Sequence, residues 1–140
     1  MVVDLGPLSA VVKVNAIEPL EDPARGRLWE PIDDSEILAG RVVHVHVVEC
    51  LPGAVRANHF HPKARETLCL IAGSFEVKLR DPSTGAEASF FVPDGSPVKI
   101  EASPGICHAF KNVGSGPAYI LGFADTPFDP DDIKRCEILE

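Results

Sequence analysis

The stretch GAVRANHFHPKARETLCLIAG, residues 53–73, decides how the rest of this chain is interpreted. It holds His59 and His61 two residues apart, then Glu66 after four more residues, with a glycine at each end. Residues two apart on a β-strand point to the same face of the sheet. Both imidazoles can therefore reach one point, and we expect Glu66 to return to that point from the neighbouring strand.

A second stretch supplies a further imidazole. In PGICHAFKN, residues 104–112, His108 follows a proline-glycine turn. Three neutral imidazoles and one carboxylate suit a divalent transition metal, although the affinity order does not fix which metal is bound. The sequence therefore predicts one divalent transition metal per chain, Zn, Mn, Fe, Ni or Cu, on these ligands: His59, His61, Glu66 and His108. The alternative is a metal-free pocket whose imidazoles bind each other and water.

The spacing of the two stretches resembles the two sequence motifs of the cupin superfamily. The first motif, G-(x)5-H-x-H-(x)3-4-E-(x)6-G, fits Gly53 to Gly73 without a gap. The second, G-(x)5-P-x-G-(x)2-H-(x)3-N, keeps the intervals between Gly105, His108 and Asn112, while its proline directly precedes Gly105. The resemblance implies an all-β, single-domain double-stranded β-helix, the jelly-roll barrel of RmlC-like cupins, with the metal in its mouth.

Strand patterns along the chain predict the same architecture without the resemblance. Short runs rich in β-branched and aromatic residues alternate with proline and glycine turns, a spacing typical of an all-β sandwich or barrel. The predicted strands are 41–50, 68–72, 74–80, 88–92, 97–101, 107–111 and 118–124.

Three segments of one domain are expected. Prolines break up residues 1–40, which we interpret as an extended N-terminal arm with short strands. Residues 41–125 form the cupin barrel, and 126–140 form a C-terminal tail. In that tail an aspartate, a proline and further acids precede basic residues, the order of a helix start, so 129–135 are predicted to form a short helix.

Composition excludes several functional classes. The net charge of −8 argues against a phosphate-backbone partner, and no apolar run is long enough to span a bilayer. The four cysteines are scattered, as is typical of reduced thiols, and Cys107 is interpreted as a small buried residue rather than a reactive thiol. We therefore expect a cytoplasmic protein with a small-molecule substrate and neither a nucleic-acid nor a membrane partner. Exposed strand edges predict a homodimer.

Other polar residues are weaker candidates for the site. His44 and His46 form a second His-x-His pair in a plain strand, and the pattern favours a polar strand face over the alternative of catalytic residues at the barrel mouth. Tyr119 is the only phenol available as a general acid. The basic residues that bracket the first motif are candidates for binding an anionic substrate: Arg56, Lys63 and Arg65.

A narrower resemblance concerns the substrate. Short phrases such as the residues 52–56, 80–85 and 126–130 look like those of the nucleotide-sugar cupins, the dTDP-4-dehydrorhamnose 3,5-epimerases and the dTDP-keto-hexose ketoisomerases. The resemblance implies a base at His59, yet those epimerases use no metal and have a tyrosine acid where this chain has Phe128. It therefore favours a metal-assisted isomerase or epimerase of a keto-sugar or similar carbonyl compound. The alternatives are a mononuclear-metal dioxygenase and a non-catalytic small-molecule-binding cupin.

Overall fold

Two antiparallel sheets of five strands each form the body of the computed structural model, which describes residues 2–140. One sheet has the order β1-β9-β6-β11-β4 and the other β12-β5-β10-β7-β8, while β2 and β3 form a separate hairpin. The strands are β1 (Val12–Ala16), β2 (Leu20–Asp22), β3 (Gly26–Leu28), β4 (His44–Cys50), β5 (Val55–Phe60), β6 (Glu66–Ala72), β7 (Phe75–Arg80), β8 (Glu87–Val92), β9 (Val98–Ala102), β10 (Cys107–Asn112), β11 (Ala118–Ala124) and β12 (Lys134–Arg135).

The core lies between the two sheets and follows from side-chain alternation. On β7, Phe75, Val77 and Leu79 are fully buried while the residues between them are charged. The same two-residue period buries Leu68, Leu70, Ile100 and Ile120 from the facing sheet. Removal of this apolar surface from water is the main force that holds the sheets together. The predicted all-β jelly roll is confirmed.

The N-terminal arm contributes to the sheets. A 3-10 helix (Gly6–Ala10) leads into β1, which pairs antiparallel with β9 along its whole length. One short helix, α1 (Asp34–Leu38), begins at a capping box in which the side chains of Asp33 and Glu36 each accept from the other's backbone N–H. Among residues 2–140, no helix is long and apolar enough to cross a membrane.

The helix predicted near the C-terminus is wrong. Residues 129–132 form a turn, and Lys134 and Arg135 pair with Phe60 and His59 of β5 as strand β12. One of the acidic residues that indicated a helix start, Asp132, makes tertiary contacts instead, because its carboxylate accepts from the backbone N–H groups of residues 63 and 64. Tertiary hydrogen bonds thus override a short local preference.

Candidate functional site

A cavity of about 310 Å³ opens between the sheets, and all five histidines of the chain line it. Strands of both sheets and the segment after β11 form its walls. Its polar lining, apart from the histidines, comprises Arg56, Glu66, Thr126, Asp129 and Asp132. Its apolar lining includes Val48, Leu68, Phe110, Ile120, Pro127, Phe128 and Ile133.

The four predicted ligands meet in this cavity. One nitrogen or oxygen atom from each of His59, His61, Glu66 and His108 can be chosen so that all four atoms lie within 4.8 Å of one another. His59 lies directly opposite His108 in the ladder between β5 and β10. Glu66 begins β6, which follows β5 in the chain but belongs to the opposite sheet, so the expectation of a neighbouring strand is wrong. The carboxylate therefore approaches the imidazoles from across the cavity.

Backbone carbonyls orient two of these imidazoles. Nδ1 of His61 lies 2.8 Å from the carbonyl oxygen of Asp132, and Nδ1 of His108 lies 3.2 Å from that of Ile106. A carbonyl only accepts, so each Nδ1 carries the proton and donates it. In the neutral imidazole, Nε2 then presents a lone pair to the cavity. This arrangement fixes the tautomer as outer partners do for metal-ligating histidines.

The Glu66 carboxylate lies between these two nitrogens. Its oxygens are 3.4 Å from Nε2 of His61 and 3.2 Å from Nε2 of His108. At these distances neither Nε2 atom has a partner of hydrogen-bond geometry among the described residues, although both are buried. Lone pairs that converge in this way are favourable only with a proton or a cation among them. The donor set therefore fits a divalent transition metal.

The site shifts the pKa values of its groups in opposite directions. Burial lowers the pKa of His59 to about 4, and the neighbouring His108 and His61 add to this effect. Burial would raise the pKa of Glu66, yet contacts with His108 and His61 hold it well below its usual range. For His61, burial lowers the pKa but the nearby Glu66 outweighs it, and the net pKa is raised. Glu66 is thus an anion and His59 is neutral near pH 7.

His44 and His46 face the cavity, so the preferred interpretation of a plain polar strand face is wrong. They alternate on β4 with Val45 and Val47, which are exposed on the outer face. His46 packs against the backbone of Gly122, where an added Cβ would lie 2.5 Å from Nε2 of the ring. Burial lowers the pKa of His46, and its Nδ1 has no hydrogen-bond partner within residues 2–140.

Of the three basic candidates, the structure brings one to the cavity. Arg56 lines it. The side chain of Lys63 is exposed, and only its backbone N–H, which binds Asp132, contributes to the site's surroundings. Arg65 is exposed beside Lys13 and Arg41 at a different depression of the surface. The prediction that Lys63 and Arg65 bind the substrate is therefore not supported, because the turn after β5 carries both side chains away from the cavity.

Tyr119 also lies outside the cavity. Alternation along β11 points Ile120 and Ala124 to the cavity, and the hydroxyl of Tyr119 donates to Glu49 on β4 at 2.8 Å. A role as general acid is therefore wrong for this phenol.

Cys107 is buried as predicted, on the outer face of β10 with Phe60 and Ile138, and its thiol donates to the carbonyl of Cys136. All four cysteines are free within the described residues.

The sequence interpretation missed two contributors to the site, Asp132 and Asn58, and named a third, Phe128, only as the residue in place of the epimerase tyrosine. Asp132 orients His61, and Phe128 lies beside His44 with ring centroids 5.9 Å apart. Asn58 is buried before His59 and binds the last residues of the chain. The burial of Asn58 beside His59 depends on the fold and could not be inferred from the sequence.

Comparison with known proteins places the chain in a family. Residues 21–134 match the family described as polysaccharide biosynthesis C-terminal domain. The spore coat polysaccharide biosynthesis protein SpsL of Bacillus subtilis is 25% identical over 131 residues, which cover 89% of this chain and 86% of SpsL. A UDP-2-acetamido-2,6-beta-L-arabino-hexul-4-ose reductase of Pseudomonas aeruginosa is 29% identical over 91 residues, 64% of this chain but 24% of the reductase.

Solved structures agree on the fold. The dTDP sugar isomerase of Desulfovibrio desulfuricans superposes with a TM-score of 0.77 at 18% identity, over 90% of this chain and 83% of that one. QdtA, a sugar 3,4-ketoisomerase from Thermoanaerobacterium thermosaccharolyticum solved with TDP, gives a TM-score of 0.72 at 21% identity, over 89% and 87% of the two chains.

Together the matched residues, the jelly-roll topology and the superpositions agree with the cupin resemblance of the sequence. This chain therefore belongs to the polysaccharide biosynthesis C-terminal domain family and has the RmlC-like cupin fold.

Proposed function

We propose that this protein holds one divalent transition metal on His59, His61, Glu66 and His108 and isomerises or epimerises a nucleotide-linked keto-sugar. The observation that carries the proposal is the convergence of every histidine of the chain on one cavity, opposite a buried carboxylate. The similar proteins suggest the substrate class, since they are a dTDP sugar isomerase, a sugar 3,4-ketoisomerase and a reductase of a UDP-linked hexulose.

The metal would polarise the substrate carbonyl as a Lewis acid and so favour loss of a proton from the adjacent carbon. Two of the four ligand side chains are already oriented for such an ion, because backbone carbonyls bind the Nδ1 atoms of His61 and His108. Pre-oriented ligands lower the cost of binding.

His46 is the proposed base. A histidine that is occupied as a ligand cannot also remove a proton, so the base must lie elsewhere in the cavity. His46 is neutral near pH 7 because burial lowers its pKa, and its Nδ1 has no hydrogen-bond partner among the described residues. His44 lies next along the wall, with ring centroids 5.5 Å apart, and would pass the proton toward the mouth.

The remaining walls would bind the rest of the substrate. Arg56 is the cation that lines the cavity, and a guanidinium suits the diphosphate of a nucleotide-sugar. Phe128 and Ile133, on the segment after β11, offer an apolar surface to the sugar ring or the base. Substrate orientation would thus come from the same segment that orients His61.

The experiment is proton exchange in D₂O. The protein is incubated with UDP- and dTDP-linked 4-keto-6-deoxyhexoses, and deuterium at the carbons beside the carbonyl is followed by NMR. We expect exchange to fall at least about 100-fold in His46→Gln, because removal of a general base costs about 10²–10⁴ in rate. Exchange should also fall in Glu66→Gln, because that change removes the one anionic ligand of the proposed Lewis acid. Glu87→Gln, the same change at a β8 residue paired with Arg80, should exchange at the wild-type rate. Absence of exchange in the wild-type protein with bound metal would contradict the proposal.

The same ligand set also supports a mononuclear-metal dioxygenase. Oxygen consumption with an enediol substrate and no deuterium exchange would replace the isomerase with that function. Tight binding of the nucleotide-sugar with neither reaction would identify a non-catalytic binding protein.

A further inference from the structure

An extra residue on β5 decides which way His59 points. In the ladder with β10, Arg56 lies opposite Phe110, Ala57 opposite Ala109 and His59 opposite His108, which leaves Asn58 without a partner. This is a β-bulge, in which two residues of one strand face one residue of the other.

Without the bulge the ligand would face away from the cavity. An uninterrupted ladder would put Asn58 opposite His108 and His59 opposite Cys107. Cys107 packs on the outer face with Phe60 and Ile138. A shift by one residue moves a side chain to the other face of a sheet. The bulge therefore places His59 among the other ligands.

The bulge requires an unusual backbone. Ala57 and Asn58 have φ angles of 71° and 55°, the left-handed region that residues other than glycine rarely adopt. Asparagine tolerates this region better than most residues, but alanine does not. Such a conformation persists only where surrounding contacts hold it, and it is common at functional sites.

The contacts that hold it come from the end of the chain. The buried side chain of Asn58 accepts from the backbone N–H groups of Ile138 and Leu139, at 2.9 and 3.1 Å, and donates to the carbonyl of Leu139 at 2.9 Å. The backbone carbonyl of Asn58 accepts from Cys136 N–H at 2.8 Å. We call residues 136–139 the C-terminal clamp. The clamp provides hydrogen-bond partners for Asn58, the residue that the bulge leaves without a partner on β10.

We propose that Asn58 is a positioning residue for the site, and that the C-terminal clamp acts through it to keep His59 directed into the cavity. His59 and the clamp are 77 or more residues apart in sequence, so the geometry of the first cupin motif is completed by the last residues of the chain. The inference rests on the proposed function only in that His59 belongs to the site.

The test compares two buried asparagines. Asn112 has a fully buried side chain that also makes three hydrogen bonds, with Cys50, Gly114 and Gly116, and it lies at the other end of β10 from His108. Asn58→Ala and Asn112→Ala should therefore lose similar amounts of stability. Asn58→Asp keeps the acceptor for the two N–H groups of the clamp.

The first readout does not need a metal. Long-range ¹H–¹⁵N spectra of metal-free protein at one pH report the environment of every histidine ring. We expect Asn58→Ala to shift or broaden the His59 ring signals, Asn58→Asp to restore them in part, and Asn112→Ala to leave them as in the wild type. Unchanged His59 signals in Asn58→Ala would overturn the inference. If Asn58→Ala does not fold, Asn58→Gly replaces it, because glycine tolerates the positive φ but makes none of the side-chain bonds to the clamp. Wild-type His59 signals in Asn58→Gly would overturn the inference.

The second readout is Co²⁺ binding, followed by the visible absorption of the ion. Loss of a residue that orients a ligand typically weakens metal binding about 10- to 100-fold, and we expect that loss in Asn58→Ala but not in Asn112→Ala. Equal affinity in Asn58→Ala and the wild type would overturn the positioning role. A wild-type protein that binds no Co²⁺ would refute the proposed metal site, while the histidine spectra would still decide the role of Asn58.

Discussion

The backbone carbonyl of Asp132 accepts from Nδ1 of His61 at 2.8 Å, while the carboxylate of the same residue accepts from the N–H groups of Lys63 and Ala64 at 2.9 Å each. One residue of the C-terminal segment thus binds both a ligand ring and the turn that follows it. Asp132 and Ala64 are buried, so the N–H group of Ala64 depends on this carboxylate for its hydrogen bond.

Asp132→Ala should destabilise the protein by about 2–4 kcal/mol, because it leaves the buried N–H of Ala64 and the partly buried N–H of Lys63 without acceptors. The loss is measured by urea denaturation of the metal-free protein. Asp131→Ala, one residue earlier and exposed, should change stability by less than about 0.5 kcal/mol. Equal effects of the two changes would show that the carboxylate contacts do not contribute.

Gly122→Ala should displace the His46 ring. The added Cβ would lie 2.5 Å from Nε2 and 2.6 Å from Cε1, so the ring must move. We expect a loss of about 1–3 kcal/mol in the free energy of unfolding, the usual cost of overpacking. The double variant Gly122→Ala/His46→Ala should recover most of that loss, since the clash is then absent. Additive losses in this double-mutant cycle would contradict the observed packing.

Most of the architecture could be predicted from the sequence because burial between two sheets imposes a two-residue period. The alternation of Phe75, Val77 and Leu79 with charged residues marks a strand without any knowledge of its neighbours. The two-residue spacing of His59 and His61, at the end of β5, is also a local property, so the convergence of the two rings could be predicted as well.

What could not be predicted depends on contacts between distant segments. The sequence of β4 predicts a strand but does not indicate which of its two faces points to the core. Only the pairing with β11 shows that His46 faces inward over Gly122. The helix predicted near Asp132 is absent because this carboxylate binds the turn after β5. The bulge at Asn58 carries no local signal, since the end of the chain stabilises it.

Loss of the His59 imidazole should weaken the decrease in the free energy of unfolding that metal-free protein shows as the pH is lowered. The pKa of His59 falls from 6.5 to about 4 on folding, chiefly through burial. Between these values the unfolded state binds more protons, so stability is lost as the pH falls from 6.5 to about 4. Because the ring is partly open to solvent, we expect a contribution of about 1–2 kcal/mol.

The measurement is urea denaturation of the wild type and His59→Gln across pH 4–7 with a chelator present. The comparison separates the effect of His59 from those of two neighbours. The lowered pKa of Glu66 also makes the protein less stable as the pH decreases, whereas the raised pKa of His61 makes it more stable as the pH decreases. Parallel profiles for the two proteins would show that His59 is not buried as a neutral ring.

The homodimer predicted from the sequence has a specific candidate surface. Strand β4 is an edge of its sheet, and Val45 and Val47 on its outer face are 48% and 61% exposed, while Val43, just before the strand, is 52% exposed. We expect Val45→Lys/Val47→Lys to be monomeric by sedimentation equilibrium, because charged residues prevent edge pairing. Val113→Lys, an exposed valine outside the strands, should leave the dimer intact. A monomeric wild type would refute the prediction.

The two glycines that bound the first cupin motif should differ in their tolerance of alanine. Gly53 and Gly73 both have positive φ, at 78° and 91°, so each substitution costs about 1–2 kcal/mol in backbone strain. Around Gly53 no atom lies within 4 Å of an added Cβ, whereas at Gly73 that Cβ would be 2.4 Å from the Cβ of Ala118.

Gly73→Ala should therefore lose about 1–3 kcal/mol more than Gly53→Ala in urea denaturation, because β6 must move away from the fully buried Ala118 on β11. Adding Ala118→Gly should return much of this difference, since that change removes the atom in conflict. Equal losses at the two positions would mean that the motif needs its second glycine for the turn alone. The expected inequality would show that this glycine also lets two strands of the sheet approach closely.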